Sequence, residues 1–208
     1  MISGFIAIFI TLNMCAQPEG INPDYLHTLN SRAEKIVGSM DIRDPGKAGR
    51  VQELIVNQYY DLSRIHDKRD SLLQGVSGQE LDKRQMAEQN IRTQVDAELY
   101  RLHASFLAGL SANLTPEQVD QVKDGMTYGV LERTYNAYLE LLPGLTDEQK
   151  RFIYKNLFEA REFAMDAGSS DEKHGWFGKY KGKINNYLSG EGYDLKKAEE
   201  ELKSGNKN

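Results

Sequence analysis

The sequence predicts an all-α protein, a bundle of six to eight helices with two long antiparallel helices as its spine. Apolar residues recur at spacings of three and four along most of the chain, which is the pattern of helices with one buried face. Glycine and proline lie between these periodic segments, where helices begin and end. No segment alternates apolar and polar residues over a sustained run rich in β-branched side chains, so a sheet is not expected.

The predicted helices follow one another with short connections. The first opens at Asn22-Pro23, and residues 41–49, which contain Pro45, form the connection to the second. The two long helices are expected at 50–74 and 79–110. The shorter helices after them are expected at 115–142, 146–167, 170–188 and 194–203. Gly125 and Gly129 are expected to kink or interrupt the helix at 115–142. Residues 17–203 are therefore expected to form a single helical domain, followed by a disordered tail at 204–208.

Two helix starts share the sequence pattern Leu-Thr-x-x-Gln, at Thr115–Gln118 and at Thr146–Gln149. In each, the threonine is expected to cap the helix and the glutamine to reach back to the threonine amide, which completes a capping box. The pair also resembles the LTxxQ repeats of small helical periplasmic stress chaperones. That resemblance implies a chaperone or adaptor that binds protein partners, whereas capping alone accounts for the same residues.

The first sixteen residues differ from the rest of the chain, because they contain no charged side chain and a dense apolar run over residues 5–10. The run is too short to span a bilayer and is typical of a secretory signal that ends at Ala16. The prediction is a signal peptide at 1–16 and a periplasmic or secreted protein. The alternatives are a buried first helix, or an outer-membrane lipoprotein lipidated at Cys15, the only case in which membrane attachment is expected.

Composition excludes several classes of protein. Domains that bind nucleic acid usually carry a basic surface, and the net charge of −5 does not support one. No nucleic-acid partner is therefore expected. No metal site is predicted, because no two histidines have the i, i+4 spacing of a helical zinc site and there is neither an HExxH motif nor a cysteine cluster. No cofactor is predicted either, since the chain has no P-loop and no GxGxxG after a strand.

Two stretches of the sequence, residues 58–67 and residues 145–194, carry a second resemblance. The chain resembles an uncharacterised family of exported helical proteins from Bacteroides-type gut bacteria, a domain of unknown function described at most as sugar-binding. The resemblance covers nearly the whole mature chain. It implies a helical fold and, at most, a sugar ligand, and it supplies no catalytic residues.

Residues 171–188 are the most unusual passage of the chain. Gly175, Gly178 and Gly182 fall within a predicted helix at spacings of three and four, where they share a face and would let a backbone or a ligand come close. Aromatic rings stack on the C–H faces of sugars, and lysine, asparagine and histidine bond to hydroxyl or carboxylate groups, so an acidic glycan suits this mixture. The alternative is a helix with core aromatics and solvated lysines. The candidate ligand-binding residues here are Lys173, His174, Trp176, Lys179, Tyr180, Asn185 and Asn186.

Three further residues are candidates outside that passage. His66 lies near the apolar face of the second helix and could serve as a base with a distant carboxylate such as Glu162 or Asp166. The alternative is a half-buried histidine hydrogen-bonded between helices. Arg161 and Asp166 are candidate ligand-binding residues, with surface ion pairs or anchoring of the loop at Gly168 as the alternative.

The functional hypothesis is an exported, non-catalytic binding protein of the cell envelope, with an oligosaccharide, in particular an acidic glycan, or an envelope protein as its partner. No oligomeric state is predicted. The second hypothesis is the LTxxQ-type chaperone or adaptor. The third is an enzyme that acts on glycans, which would need two carboxylates facing each other across a cleft.

Overall fold

A computed structural model describes residues 22–205, which form eight α-helices and contain no strand. The all-α prediction is therefore confirmed. The helices are α1 (Pro23–Gly38), α2 (Pro45–Val76), α3 (Leu81–Ser111), α4 (Pro116–Met126), α5 (Val130–Leu141), α6 (Asp147–Met165), α7 (Ser170–Gly190) and α8 (Leu195–Gly205). The predicted signal peptide and Cys15 lie outside the described residues. No helix in this range is long and apolar enough to cross a membrane.

Capping side chains fix where the helices begin. Both predicted capping boxes are confirmed: the Thr115 and Thr146 side chains accept from the backbone amides of Gln118 and Gln149, and both glutamine side chains reach back to the threonine amide. The connection predicted at 41–49 is too long. The Asp44 side chain accepts a hydrogen bond from the Gly46 amide at 2.9 Å, and the helix begins at Pro45. Proline has no amide hydrogen, but the amide at the first position of a helix has no partner within the helix, so no hydrogen bond is lost.

The two glycines predicted to kink the fourth helix have different roles. Gly125 lies inside α4, where an added Cβ would come within 2.8 Å of the Ile36 side chain, so it allows α1 and α4 to approach closely. Gly129 has a φ of 62° and separates α4 from α5. At the other end of the chain, α8 continues to Gly205, two residues beyond the predicted domain end at Lys203.

Buried apolar side chains form two main clusters. One joins α1 to α4, and it includes Leu29, Ile55, Leu110, Val122 and, from the end of α6, Met165. The other joins α5 to α8, and it includes Leu131, Ile153, Leu157, Phe177 and Ile184. A smaller cluster lies between α2 and α3 at Ile65, Ile91 and Val95. The most extensive helix contacts are α6 with α7 and α2 with α3, and the role of α2 and α3 as the spine stays a prediction.

The contact between α4 and α6 is polar and partly buried. Arg161 is 2% exposed, and its guanidinium lies 2.6 Å from an Asp120 oxygen and 2.8 Å from an Asp124 oxygen. Beside it, the Lys123 ammonium lies 2.8 Å from an oxygen of Glu162. The expectation that Arg161 forms surface ion pairs was wrong, because its side chain is enclosed between the two helices.

Candidate functional site

A cleft of about 1040 Å³ lies between the helix pair α2–α3 and the helix pair α6–α7. Its lining is mainly apolar, with charged groups among the rings. The residues that line it are His66 and Arg69 of α2; Arg92, Val95, Asp96, Leu99, Tyr100 and His103 of α3; Glu162, Phe163, Asp166 and Ala167 at the end of α6; and Glu172, Gly175, Trp176 and Lys179 of α7. A concave apolar site with a few polar groups is the usual form of a small-molecule site.

One wall of the cleft is a single row of side chains on α3. Arg92, Asp96, Tyr100 and His103 are spaced four, four and three residues apart, so they follow one face of the helix over roughly 16 Å. Tyr100 is 76% exposed, which is unusual for so large a ring. The row therefore presents a cation, a carboxylate, an aromatic ring and an imidazole to the cleft in that order.

The opposite wall is built on stacked aromatic rings. Phe163 of α6 and Trp176 of α7 stack with their centres 4.6 Å apart and their planes at 16°. Phe163 remains 44% exposed. The ring of Tyr180 lies 6.3 Å from that of Phe163, on the core side, and the Lys179 ammonium lies 4.9 Å from the centre of the indole. The wall is thus a flat aromatic surface with one cation beside it.

The floor of the cleft carries an imidazole between two carboxylates. Nδ1 of His103 lies 2.8 Å from an oxygen of Asp166, and Nε2 lies 3.7 Å from an oxygen of Glu162. The Asp166 carboxylate raises the pKa of the His103 imidazole above its usual value, against the opposing effect of burial, and Glu162 adds to the increase. The charged imidazole is therefore favoured at the floor.

His66 joins α2 to the end of α6. Its Nε2–H donates to the backbone carbonyl of Asp166 at 2.7 Å, and the residue is 6% exposed. Gly168 packs directly on this ring, because an added Cβ would come within 2.6 Å of the His66 Cγ. The partner of His66 is thus a carbonyl, and the expected pairing with the carboxylate of Glu162 or Asp166 is not formed. The contact matches the alternative of a histidine hydrogen-bonded between helices.

A second contact joins α2 to α7 at the edge of the cleft. The Arg69 guanidinium lies 3.1 Å from an oxygen of Glu172, whose other oxygen accepts from the Gly168 amide at 2.8 Å. Burial opposes ionisation of Glu172, but the Gly168 amide and Arg69 outweigh it and lower the pKa of this carboxyl. Glu172 is therefore held as an anion and fixes the start of α7 next to α2.

Four of the ten predicted site residues line the cleft, namely His66, Asp166, Trp176 and Lys179. Arg161 and Tyr180 do not, because the first is enclosed by α4 and the second is part of the core between α6 and α7. Lys173 is also buried, and its ammonium donates to the carbonyls of Ala164 and Met165 at 2.9 and 3.2 Å. Its predicted role as a ligand contact was wrong, since it satisfies the end of α6 instead.

The other three predicted residues lie elsewhere on α7. The ring of His174 is 5.9 Å from that of Tyr128, and Asn186 is exposed. Asn185 accepts a hydrogen bond of 2.6 Å from the Tyr138 hydroxyl and lines a separate depression of about 530 Å³ between α5, α7 and α8. These three residues are therefore not brought together with Trp176 and Lys179.

The three α7 glycines that the sequence analysis singled out do not serve a close approach of another backbone. A Cβ added to Gly175, Gly178 or Gly182 would meet no atom within 4 Å. The expected close contact with another helix was thus wrong. Gly175, however, lines the cleft, so its missing side chain leaves space beside Trp176.

Sequence reasoning missed most of the cleft. His103, Tyr100 and Arg92 were not among the candidates, although their spacing on the polar edge of a long helix places them in one row. That spacing was the available signal, but it does not say which helix the row faces. The partner wall comes from residues about 60 or more positions later in the chain, and only the fold brings it near.

The part of the chain that the structure describes contains no group of three or more His, Cys, Asp or Glu side chains arranged to hold a metal ion. No curated protein matches the sequence. The sequence profile of one family, described as "Protein of unknown function (DUF3826)", matches residues 26–207, which is most of the chain and all but four of the residues described above. The protein therefore belongs to the DUF3826 family.

Proposed function

We propose that this protein is an exported binding protein for carbohydrate and that the sugar binds in the cleft between α2–α3 and α6–α7. The observation that carries the proposal is the stacked Phe163–Trp176 pair on one wall, with the exposed Tyr100 ring on the other wall. Exposed rings in a concave site favour ligands with flat apolar faces. Sugars have such faces, and their hydroxyls can bond to the polar groups at the rim.

The charges of the cleft support an acidic glycan. Among the described residues, the carboxylates at the floor face His103, Lys123 or Arg161, and Glu172 faces Arg69. Arg92, Lys179 and Asp96 have no ion-pair partner within the described range, so the cleft offers a ligand two free cations and one free carboxylate. An anionic group on the sugar would satisfy either cation without breaking an existing ion pair.

Export is the part of the proposal that rests on sequence. Residues 1–16 have the length and the apolar run of a secretory signal. Secretion would bring the cleft into contact with polysaccharide outside the cytoplasm. Mass spectrometry of the N-terminus after expression in a secreting host tests this step, with an intact Met1 as the result against it.

The glycan proposal is tested by calorimetric titration of residues 17–208, which include all eight described helices. Neutral and acidic oligosaccharides are compared in wild type and in Trp176→Ala. The matched control is Tyr187→Ala, because Tyr187 is also on α7 and stacks on Phe152 at 3.9 Å but does not line the cleft. Loss of binding in Trp176→Ala alone supports the proposal, and equal binding in both variants contradicts it.

Hydrolysis by a carboxylate pair is less well supported. Glu162 and Asp166 lie one helical turn apart on the same helix end, at the floor of the cleft. Glycosidases instead place two carboxyl groups on the two sides of the bond that they cleave. We therefore infer binding rather than hydrolysis by this pair.

Binding of protein partners, as in a chaperone or adaptor, is the second candidate. The observation in its favour is a set of exposed apolar side chains near the turn between α2 and α3, namely Leu72, Leu81 and Met86. Exposed apolar groups that lie close together mark protein contacts in many soluble proteins. Suppression of aggregation of an unfolded test protein by wild type, but not by Leu81→Lys with Met86→Lys, would favour this candidate. Equal behaviour of both proteins would dismiss it.

A further inference from the structure

The Trp176 indole has two neighbours in the cleft. The Phe163 ring stacks on it with the ring centres 4.6 Å apart, and the Lys179 ammonium lies over the same indole, 4.9 Å from its centre. A sugar that stacks on the part of the indole beneath this ammonium must therefore move Lys179.

Two features leave room for a ring beside the indole. Gly175 precedes Trp176 in the cleft and has open space where a side chain would be. Lys179 is exposed, has no ion-pair partner among the described residues and is attached through a flexible four-carbon chain. Swinging it aside breaks only the contact with the indole.

We propose that Lys179 is a displaceable cover of Trp176 that selects uronic acids. A sugar ring takes the place of the ammonium on the indole, and the displaced ammonium then pairs with the carboxylate of that sugar. The carboxylate of a uronic acid is bonded directly to the ring, so it lies at the ring edge, within reach of the moved lysine. This inference rests on the proposed carbohydrate site and names the ligand class and the residue that recognises it.

Removal of the Lys179 ammonium is expected to change the affinity for a neutral sugar and the affinity for a uronic acid in opposite directions. For a neutral sugar, Lys179 only competes for the indole, and a cation–π contact at an exposed site corresponds to about a two- to fivefold change in affinity, or about 0.5–1 kcal/mol. For a uronic acid, the new ion pair replaces the lost contact and adds charge attraction. Removal of the ammonium should therefore strengthen neutral binding and weaken uronate binding.

The test is a calorimetric titration of Lys179→Ala with a uronic-acid oligosaccharide and with the same oligosaccharide after reduction of its carboxyl groups. We expect the reduced ligand to bind about two- to fivefold more tightly than to wild type, and the uronate ligand to bind less tightly. Raising the salt concentration should reduce the preference of wild type for the uronate by more than it reduces that of the variant, in which Arg92 is the cation left in the cleft.

Lys183→Ala is the matched control. Its ammonium lies 5.7 Å from the centre of the Tyr180 ring, one turn further along α7, but the residue does not line the cleft. Neither ligand should change its affinity in this variant. An equal effect of Lys183→Ala would show that the changes come from overall charge and would overturn the inference.

The outcomes separate this inference from the function on which it rests. If Trp176→Ala abolishes binding but Lys179→Ala changes both ligands in the same direction, the cleft binds sugar and Lys179 is not a displaceable cover. If wild type binds neither ligand, or if Trp176→Ala binds as wild type does, the proposed site itself is wrong.

Discussion

Burial of Lys173 predicts that the protein becomes more stable as the solution becomes alkaline. The side chain is 6% exposed, and its ammonium donates to the Ala164 and Met165 carbonyls at the end of α6. Desolvation lowers the pKa of Lys173 to about 8 from a reference of 10.5, against the attraction of Asp166. Between these two values the unfolded chain binds a proton that the folded protein has already released.

The sign of the effect follows from that difference in bound protons. Stability rises with pH wherever the unfolded state binds more protons than the folded one. A difference of roughly 2.5 pKa units corresponds to about 3 kcal/mol of unfolding free energy gained between about pH 8 and about pH 10.5. Below that range both states carry the charge, so Lys173 adds no pH dependence there.

The assay is urea denaturation of wild type and Lys173→Met at intervals from about pH 7 to about pH 10.5. The difference in unfolding free energy should move in favour of wild type by about 3 kcal/mol over the upper part of this range. Tyr59 and Tyr138, whose pKa values burial raises to about 12, lower the stability of both proteins alike and cancel in the difference. Lys155→Met, a change at an exposed lysine, is the control and should show no such trend. Parallel curves for wild type and Lys173→Met would refute the reasoning.

Three other substitutions test the floor and the wall of the cleft. Gly168→Ala should destabilise the protein by about 1–3 kcal/mol, because the new methyl group would overlap the His66 ring, and urea midpoints measure the loss. Gly175→Ala should do the reverse, with up to about 1 kcal/mol of stabilisation in the same assay and weaker glycan binding by calorimetry, because the methyl group enters open space in the cleft. His103→Gln should remove a pH dependence: the ion pair with Asp166 stabilises wild type fully below about pH 6.5, and this advantage is lost as the pH rises through the raised pKa of His103. Each of these three predictions is wrong if the variant has the same unfolding free energy, or for His103→Gln the same pH dependence of that free energy, as wild type.

Helix starts could be predicted from the sequence because the groups involved are close neighbours in the chain. Thr115 and Gln118 satisfy each other's amides within one turn, whatever the rest of the protein does. Pro45 was placed in a connection because residues 41–49 contain this proline and two glycines, Gly46 and Gly49, yet the Asp44 side chain is enough to begin the helix there. Capping chemistry thus decided the outcome where composition alone suggested a loop.

Candidate site residues were harder to predict because burial is decided between helices. Lys173 and Lys179 are both lysines of α7, and nothing local separates them. They lie six residues apart, so their side chains point roughly 120° apart around the axis of α7. α6 therefore covers Lys173, whereas Lys179 lines the cleft. Trp176, a candidate from the sequence, lines the cleft, but its partner Phe163 and the facing row on α3 depend on the packing of distant segments.

Several features that reduce stability meet at the cleft between α2–α3 and α6–α7. Gly175 weakens α7 without allowing any helix to approach, and Tyr100 leaves a large ring in solvent. At the floor, His66 Nδ1 and Asp166 Oδ1 are buried and have no hydrogen-bond partner among the described residues. An apolar contact between the two helix pairs would avoid all of these losses, since well-packed apolar groups can replace buried ions at no loss of stability. Natural sequences tend to depart from the rules of stability at their functional sites. Gln58 and Asn156 bury unpartnered polar atoms outside the cleft, but among the described residues only at the cleft do such atoms occur beside an open helical glycine and an exposed aromatic ring. This combination supports the proposal that a ligand binds in the cleft.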